Sequence, residues 1–316
     1  MAIIFCILMI VVPSFLFTSV LAERMTPIIS VSCATAWRWS GFYWLWLPSS
    51  SCSPYQTTYE IPRLSAACDE EEIAVYIHGW LESSVSAIDK FNTVKSSLEH
   101  NGYAHPVIGF SWTSEAEWTT ARTYAELSGE RLAQFASDFR EECDSTQIRL
   151  ISHSLGARVL LNALEYLLEH DPRMTIASVH LLGAAVDDGE ISTLSNFGIA
   201  IQNQSEEFHN KYSPEDNIYD PVTGWYTDSD HALGQSGADD DLRSWWPSTY
   251  DEEDVSKELP RDPDGDGRND WNNCGDNHNG YIGATDSMRR VLNDGAIDEI
   301  ISDWTASPDI ESDDCE

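Results

Sequence analysis

Blocks of apolar and polar residues alternate along the middle of the chain, and their spacing changes from block to block. Short continuous apolar runs predict buried strands, whereas apolar residues three and four positions apart predict amphipathic helices. From residue 71 onwards the two patterns alternate, which predicts an α/β fold with a mostly parallel central sheet and helices on both faces. The predicted strands are 73–80, 106–112, 147–152, 177–186 and 206–213, and the predicted helices are 85–100, 115–142, 155–170 and 285–304.

Two segments do not follow this alternation. Residues 25–62 contain the aromatic run WRWSGFYWLWLPSSSCSPY. This run could form a strand pair, a membrane-facing patch or a flap over a site, and the interpretation we favour is that its side chains pack in the core. Residues 214–282 form a long polar segment rich in Asp, Gly, Asn and Trp, and loops of that length in compact domains usually serve a function. The predicted organisation is therefore an N-terminal segment at 23–70, one domain at 71–304 and an acidic tail at 305–316.

The first residues of the chain are strongly apolar. Residues 2–22 carry no charge and end in Val20-Leu21-Ala22 immediately before Glu23. Small residues at Val20 and Ala22 suit a signal-peptidase site, so we expect cleavage after Ala22 and a secreted, extracellular protein. The alternative is membrane association, in which residues 2–22 stay in the bilayer as an N-terminal anchor, since about 20 apolar residues can span it.

The chain is also strongly acidic. Its 316 residues include 53 acidic and 18 basic side chains, which gives a formal net charge of −35 at pH 7. Such a field repels phosphate groups, so nucleic acid is not an expected partner. An acidic surface of this kind is typical of proteins from extreme halophiles, in which high salt screens the repulsion between carboxylates. With 42% apolar residues, the chain can nevertheless bury a sizeable core.

Of the seven cysteines in the chain, Cys6 lies in the apolar leader. The remaining even number predicts disulfides in an oxidising compartment, with a connectivity that the spacing leaves open. No C-x-x-C pair occurs, which argues against a zinc site built from these cysteines. The six are Cys33, Cys52, Cys68, Cys143, Cys274 and Cys315.

A predicted strand turns abruptly into a helix at RLISHSLGARVLLNALEYL, residues 149–167. The five residues from Ser152 to Gly156 fit the G-x-S-x-G nucleophile elbow, with serine in place of the first glycine. Such a turn forces Ser154 into a strained backbone conformation, and only small residues two before and two after it let the chains pass. We therefore expect Ser154 to be a nucleophile at the carboxyl edge of the sheet. The alternative is a helix N-cap followed by an ordinary glycine.

Two backbone amides are candidates for binding the negative charge that develops on an attacked carbonyl oxygen. The N–H of Leu155 lies at the N-terminus of the helix that follows Ser154. The segment IHGW ends an earlier strand, and its His-Gly pair allows a turn that directs the Trp80 N–H to the same position. His78 in that segment is expected to be structural.

These segments carry a resemblance to a known family. YIHGW, FSWTS, YAELSGERLAQF and ISHSLGARVLLNAL resemble the α/β-hydrolase superfamily, in particular the lipase-like and esterase-like serine hydrolases of bacteria and archaea. The resemblance covers about residues 70 to 300 and implies the α/β-hydrolase fold. It further implies a Ser-acid-His triad in that chain order, hydrolysis of esters without a catalytic cofactor, and a substrate pocket at the carboxyl edge of the sheet.

The resemblance implies that the acid and the base follow Ser154 in the chain. For the acid, FHNKYSPEDNIY resembles the family's late strand and following turn, which gives Asp216, with Asp187 one strand earlier as the alternative. For the base, His278 lies in a glycine-rich loop before the last predicted helix, where the family carries its histidine, and His231 is the alternative. His278 would then take the proton from Ser154 while Asp216 holds the imidazole. Three further histidines are expected to be structural: His170, His180 and His209.

The acidic run DPDGDGRNDWNN, residues 262–273, resembles a calcium-binding loop. Its carboxylates occupy loop positions 1, 3, 5 and 9, and Gly267 stands at position 6, where the sharp turn requires glycine. Asn273 replaces the bidentate glutamate of position 12, so the affinity would be modest, and a merely solvated acidic loop is the alternative. The candidate ligands of this structural Ca²⁺ are Asp262, Asp264, Asp266, Arg268, Asp270 and Asn273.

The sequence thus predicts a secreted serine hydrolase that cleaves a small-molecule or lipid ester through an acyl-enzyme. The rival hypothesis is a non-catalytic binding protein on the same scaffold, because a fold does not fix a function. The abundance of aromatic residues favours an apolar acyl group, at 11% of the chain.

Overall fold

The structure of the protein is a computed structural model that describes residues 27–40, 45–57, 67–216, 218, 231–259 and 278–305. The expected leader, residues 2–22, and all but the first residue of the expected acidic tail lie outside the described residues. Within the described ranges, no helix is both long and apolar enough to cross a membrane.

Strands and helices alternate along the described part of the chain. The strands are β1 Ile28–Ser30, β2 Cys33–Ser40, β3 Leu45–Cys52, β4 Gln56–Thr57, β5 Glu72–Ile77, β6 Val107–Ser111, β7 Gln147–His153, β8 Ile176–Leu182, β9 Ser205–Tyr212, β10 Tyr250–Asp254, β11 Ala284–Thr285 and β12 Val291–Asn293. The helices are α1 Ser84–His100, α2 Trp118–Glu142, α3 Gly156–His170, α4 Asn196–Gln204, α5 Leu233–Ser236 and α6 Ile297–Thr305.

Eight of these strands form one sheet in the order β10-β9-β8-β7-β5-β6-β1-β4. All neighbouring pairs are parallel except β1 and β4, which run antiparallel. Parallel strands need crossover connections, and α1 to α4 supply those between β5 and β9. The predicted mostly parallel α/β sheet is therefore confirmed, and the carboxyl ends of β5, β7, β8 and β9 meet at one edge.

Apolar side chains are buried on both faces of the sheet. On one face, α2, α3 and α4 pack against the strands around Leu132, Leu160 and Ile201. On the other face, α1 and α6 form a second cluster around Phe91 and Ile300. Because the central strands are covered on both sides, they appear in the sequence as continuous apolar runs.

The aromatic N-terminal segment contributes to two sheets. β1 pairs with β6 and so extends the main sheet, and Ile29 lies in its core. β2 and β3 form a separate antiparallel hairpin, which is the strand pair that the sequence left open.

Two disulfides join described cysteines. Cys33 at the start of β2 is bonded to Cys52 at the end of β3, and Cys68 before β5 is bonded to Cys143 after α2. The second bond closes 75 residues of chain, and restricting the unfolded chain in this way stabilises a fold by about 4 kcal/mol. Cys274 and Cys315 lie outside the described residues.

The predicted helix 285–304 is wrong over its first half. β11 and β12 form a hairpin there, and the helix begins only at Ile297. In the hairpin turn the Asp286 carboxylate accepts hydrogen bonds from two backbone N–H groups, a bonding pattern that competes with helix formation. Arg289 and Gly295 have left-handed φ angles of 59° and 61°, which a right-handed helix does not accommodate.

Residues 214–282, expected as one polar loop, are partly regular. They include α5, a 3₁₀ helix at Asp240–Trp245 and β10. The sequence of β10 is YDEED, which lacks the alternating apolar residues that predict a strand. It forms a strand because its backbone pairs in parallel with β9. The predicted strand 177–186 ends earlier, at Leu182, because Gly183 turns the chain with a φ of 52°. The other predicted elements agree with the structure to within three residues at each end.

Candidate active site

Ser154 occupies the sharp turn between β7 and α3. Its φ angle is 54°, in the left-handed region that is strained for serine, so the strained turn expected from the sequence is present. The turn is fastened to the end of β8. The Ser154 N–H donates to the Leu182 carbonyl oxygen at 3.0 Å, and the Ser154 carbonyl oxygen accepts from the Ala185 N–H at 3.1 Å. These bonds hold Ser154 at the carboxyl edge of the sheet, where 8% of it is exposed.

Glycines allow the close approach of β5 to this turn. A Cβ atom at Gly156 would lie 2.6 Å from the Ile77 carbonyl oxygen and 2.7 Å from that of His78, so only glycine fits at the start of α3. A Cβ atom at Gly79 would lie 2.9 Å from the Cβ atom of Ser154. The backbone that follows β5 therefore lies directly against the Ser154 side chain.

Of the two predicted oxyanion donors, Leu155 directly follows Ser154, and Trp80 follows a glycine that lies against it. Leu155 is the N-cap of α3, and no backbone carbonyl of the described residues accepts a hydrogen bond from its N–H. A helix N-terminus of this kind attracts negative charge. Trp80 follows Gly79, whose backbone contacts Ser154, and Leu81 continues the turn with a φ of 60°. The oxyanion role of the Leu155 and Trp80 amides stays a prediction.

His278 and Asp216 form a buried pair. His278 Nδ1 lies 2.7 Å from Asp216 Oδ2, a distance typical of a charge-assisted hydrogen bond, and Asp216 is fully buried. The other carboxylate oxygen accepts the Ile218 N–H at 3.2 Å. The Asp216 N–H in turn donates to the Ser213 carbonyl oxygen at 3.0 Å, which fixes the turn after β9. This arrangement fixes the orientation of the imidazole and keeps the proton on Nδ1.

The alternative acid and base have other positions. Asp187 caps the 3₁₀ helix that follows β8 by accepting the Gly189 N–H at 3.0 Å, while His231 is exposed. The structure therefore brings His278 together with Asp216 rather than with Asp187. Three other histidines lie where the sequence places them, within β8, within β9 and at the end of α3: His180, His209 and His170.

His153, immediately before Ser154, connects the two parts of the site. Its Nε2 donates to the backbone carbonyl oxygen of His278 at 2.7 Å, and the two ring centroids are 4.7 Å apart. Burial, together with the neighbouring His278, lowers the pKa of His153 well below its ordinary value, so the ring is neutral. The contact between His153 and His278 was not predicted from the sequence. The only sequence feature that could have indicated it is the histidine directly before the expected nucleophile.

His78 supports the turn on the other side. Its Nδ1 donates to the Gly79 carbonyl oxygen at 2.9 Å, and its Nε2 accepts the backbone N–H of Trp112 at 3.2 Å. The Trp112 indole N–H donates back to the His78 carbonyl oxygen at 2.9 Å, and the two rings stack. Burial lowers the pKa of His78 to about 4, so the ring stays neutral and can both donate and accept. These contacts agree with the structural role that we expected for His78.

The expected calcium loop lies outside the described residues. The structure therefore places none of its six candidate ligands, which are Asp262, Asp264, Asp266, Arg268, Asp270 and Asn273.

Comparison with known families finds one match. Residues 57–236 match the family model described as "Alpha/beta hydrolase of unknown function (DUF900)". The matched segment contains Ser154 and Asp216, while His278 follows it. A search among curated proteins found no match.

Several solved structures are similar to this chain at low sequence identity. Phospholipase PlaB from Legionella pneumophila, in complex with thio-NAD, is 11% identical with a TM-score of 0.34, covering 50% of this chain and 41% of that one. Lipase B from Aspergillus fumigatus is 11% identical with a TM-score of 0.34, and the match covers 60% of this chain and 45% of the lipase. The catalytic core domain of acetyl xylan esterase from Trichoderma reesei is 12% identical with a TM-score of 0.30, and the match covers 67% of this chain and 91% of the esterase domain. The chain thus spans less than half of the phospholipase and of the lipase.

Proposed function

We propose that the chain, which belongs to the family of alpha/beta hydrolases of unknown function (DUF900), is a serine hydrolase that cleaves carboxylic esters. The observation that carries the proposal is the buried pair of His278 and Asp216, 2.7 Å apart, at the same sheet edge as the strained Ser154 turn. The hydrogen bond from His153 to the His278 backbone joins that pair to the turn. The chain order and these contacts support a triad made of Ser154, His278 and Asp216.

The proposed reaction proceeds through an acyl-enzyme. His278 Nε2 takes the proton from the Ser154 hydroxyl as its oxygen bonds to the ester carbonyl carbon. Asp216 stabilises the imidazolium, and His278 then returns the proton to the departing alkoxide as the ester C–O bond breaks. Water, deprotonated by the same histidine, releases the carboxylic acid and restores Ser154.

The oxyanion of each tetrahedral intermediate needs donors that are already in place. The N–H groups of Leu155 and Trp80 are proposed for this role, since Leu155 is at a helix N-terminus and Trp80 follows Gly79, which lies against Ser154. No metal or organic cofactor takes part in the proposed chemistry.

The surroundings of Trp80 favour an apolar acyl group. Its indole packs edge to face on Trp118, with ring centroids 5.1 Å apart. The two apolar residues nearest in sequence on the α1 side, Leu81 and Val85, are 59% and 68% exposed. Exposed apolar side chains that follow Trp80 in the chain favour a lipid-like or other hydrophobic ester.

The proposed location is extracellular. The bonds Cys33–Cys52 and Cys68–Cys143 are of a kind that persists in oxidising compartments, and residues 2–22 have the composition of a signal peptide. Retention of residues 2–22 as a membrane anchor is the alternative form of this proposal. A structural Ca²⁺ in the loop 262–273 is also proposed, on the sequence pattern alone.

The proposal is tested with chromogenic esters of increasing acyl chain length. High salt is required in the assay, because a chain of net charge −35 repels itself at low ionic strength. We expect turnover to rise with acyl length, and Ser154→Ala to lower kcat by about 10⁴-fold or more. Absence of turnover for every ester would favour the non-catalytic binding protein instead.

A further inference from the structure

Two histidines and an aspartate meet on the face of the sheet covered by α6. His180 of β8 pairs in register with His209 of β9, and their rings stack with centroids 4.7 Å apart and planes 3° apart. Asp303 of α6 reaches both rings, because its Oδ2 lies 3.5 Å from His180 Nδ1 and 3.4 Å from His209 Nδ1. The three potential ligand atoms all lie within 4.8 Å of one another.

His180 is fully buried, and its ring stacks on His209 and lies near Asp303 without hydrogen bonding to either. Neither ring nitrogen makes a hydrogen bond to any described residue. Buried polar atoms in native proteins are normally satisfied, so an unsatisfied imidazole calls for a ligand.

The distances fit shared coordination better than hydrogen bonding. Separations of 3.4 and 3.5 Å exceed the 2.7–3.2 Å of good N–H···O bonds. Tetrahedral zinc holds nitrogen and oxygen ligands at about 2.0–2.2 Å, which places neighbouring ligand atoms about 3.4 Å apart. The two separations from Asp303 are therefore in the range for ligands around one tetrahedral ion, and the stacked rings, whose planes are 3° apart, must turn to direct both Nδ1 lone pairs at it.

We propose that His180, His209 and Asp303 form a binding site for a divalent transition metal ion, with Zn²⁺ as the expected occupant. Two imidazoles and one carboxylate suit zinc, whereas calcium and magnesium prefer sites made of oxygen atoms. Three protein ligands leave the fourth tetrahedral position to water. The proposal uses no residue of the Ser154 site and stands apart from the proposed hydrolase activity.

A cleft gives access to two of the three proposed ligands. A cleft of about 330 Å³ opens beside His209 and Asp303. Carboxylates on one wall of a cleft raise the local concentration of cations. The cleft is lined by His209, Lys211, Asp251, Glu252, Glu253 and Asp303.

Lys211 is the cation already present in the cleft. Its Nζ lies 2.8 Å from Asp303 Oδ2 and also contacts Glu253, and these carboxylates raise its pKa despite its burial. This is the oxygen that also faces the two histidines, so metal binding there requires the ammonium to move toward Glu253. Glu253 already contacts the ammonium and can keep it paired in that position.

The test is a zinc titration of the whole chain, freed of metal by dialysis, in competition with a chromogenic zinc indicator. His209→Gln and Asp303→Asn each remove one ligand from a partly exposed position and avoid the buried His180. Asp251→Asn is the matched control, because Asp251 stands opposite His209 in the β9–β10 register and lines the same cleft. Circular dichroism checks that each variant is folded.

We expect the wild type to bind one equivalent of zinc, and each ligand variant to bind it about 100-fold more weakly. The zinc affinity of Asp251→Asn should stay within about threefold of the wild-type affinity. Cobalt in place of zinc should give the visible absorption of a tetrahedral site in the wild type, and excess Ca²⁺ should not displace either ion. The proposal is overturned if the wild type takes up no zinc, or if both ligand variants bind as tightly as Asp251→Asn.

Discussion

His153 donates a hydrogen bond from Nε2 to the backbone carbonyl oxygen of His278, 2.7 Å away. The bond spans 125 residues of sequence and connects the turn that carries Ser154 with the loop that carries the proposed base. We propose that His153 is a positioning residue that holds the His278 backbone beside the Ser154 turn.

Replacing His153 by Phe keeps a ring of similar shape and removes the donor. We expect kcat for a chromogenic ester to fall about 10- to 100-fold with little change in KM, because small displacements of a catalytic group cost about that much. His153→Gln retains an N–H donor and should recover part of the loss. Equal kcat in the Phe variant and the wild type would show that the His278 loop keeps its place without this bond.

Asp216 should be the residue on which the base depends. Asp216→Asn is expected to lower kcat by about 10⁴-fold, because the amide favours the wrong imidazole tautomer and cannot stabilise the imidazolium. Asp187→Asn is the matched control, since that carboxylate caps a 3₁₀ helix, and it should cost far less. A larger loss in the Asp187 variant would move the acid to the end of β8.

The parts of the site that could be predicted are those whose residues lie close together in the sequence. The Ser154 turn could be recognised because strand, turn and helix occur within one continuous segment, and the required small residue, Gly156, stands in it. The pairing of Asp216 with His278 joins residues 62 positions apart, and only the resemblance to a family indicated it.

The features that were missed depend on contacts between distant segments. His180 and His209 meet through the register of two strands, and Asp303 reaches them from a helix near the end of the chain. The helix expected from residue 285 failed because the local bonds of Asp286 outweighed the apolar spacing that follows it. Side-chain periodicity contains neither kind of information.

Acid should destabilise the fold through His78. Its pKa is about 4 in the folded chain and about 6.5 in the unfolded chain, so only the unfolded chain takes up a proton between these values. The stability that comes from the neutral ring is complete above pH 6.5, falls as the pH drops, and is lost near pH 4. A shift of this size corresponds to about 3 kcal/mol.

Urea unfolding at pH 7 and pH 4.5, at constant salt, measures this contribution. His78→Gln should lose less stability between the two pH values than the wild type, although the variant itself starts less stable. His170→Gln, the same change at an exposed position at the end of α3, should follow the wild type. An unchanged pH dependence in His78→Gln would mean that the neutral ring contributes nothing in this range.

Removal of calcium should weaken the region that leads into His278. Asp270 precedes His278 by eight residues, and four carboxylates without a cation repel one another. Chelation at constant ionic strength is expected to lower both the melting temperature and esterase activity, and calcium should restore both. The double variant Asp264→Ala with Asp266→Ala should not respond.

Ionic strength is the necessary control for the calcium experiment, since any salt screens a chain of this charge. Sodium and potassium at matched ionic strength should not rescue the chelated protein. If they do so as well as calcium, the loop 262–273 is part of the solvated acidic surface.

The central claim, that Ser154 is an activated nucleophile, is tested most directly by covalent labelling with a fluorophosphonate probe in high salt. The probe reacts with serines activated by a neighbouring base, so the wild type should be labelled at Ser154 and Ser154→Ala should not be labelled. Ser152→Ala is the matched control, because Ser152 is fully buried in the strand that leads into the turn, and this variant should label like the wild type. An unlabelled wild type, or equal labelling of wild type and Ser154→Ala, would contradict the account.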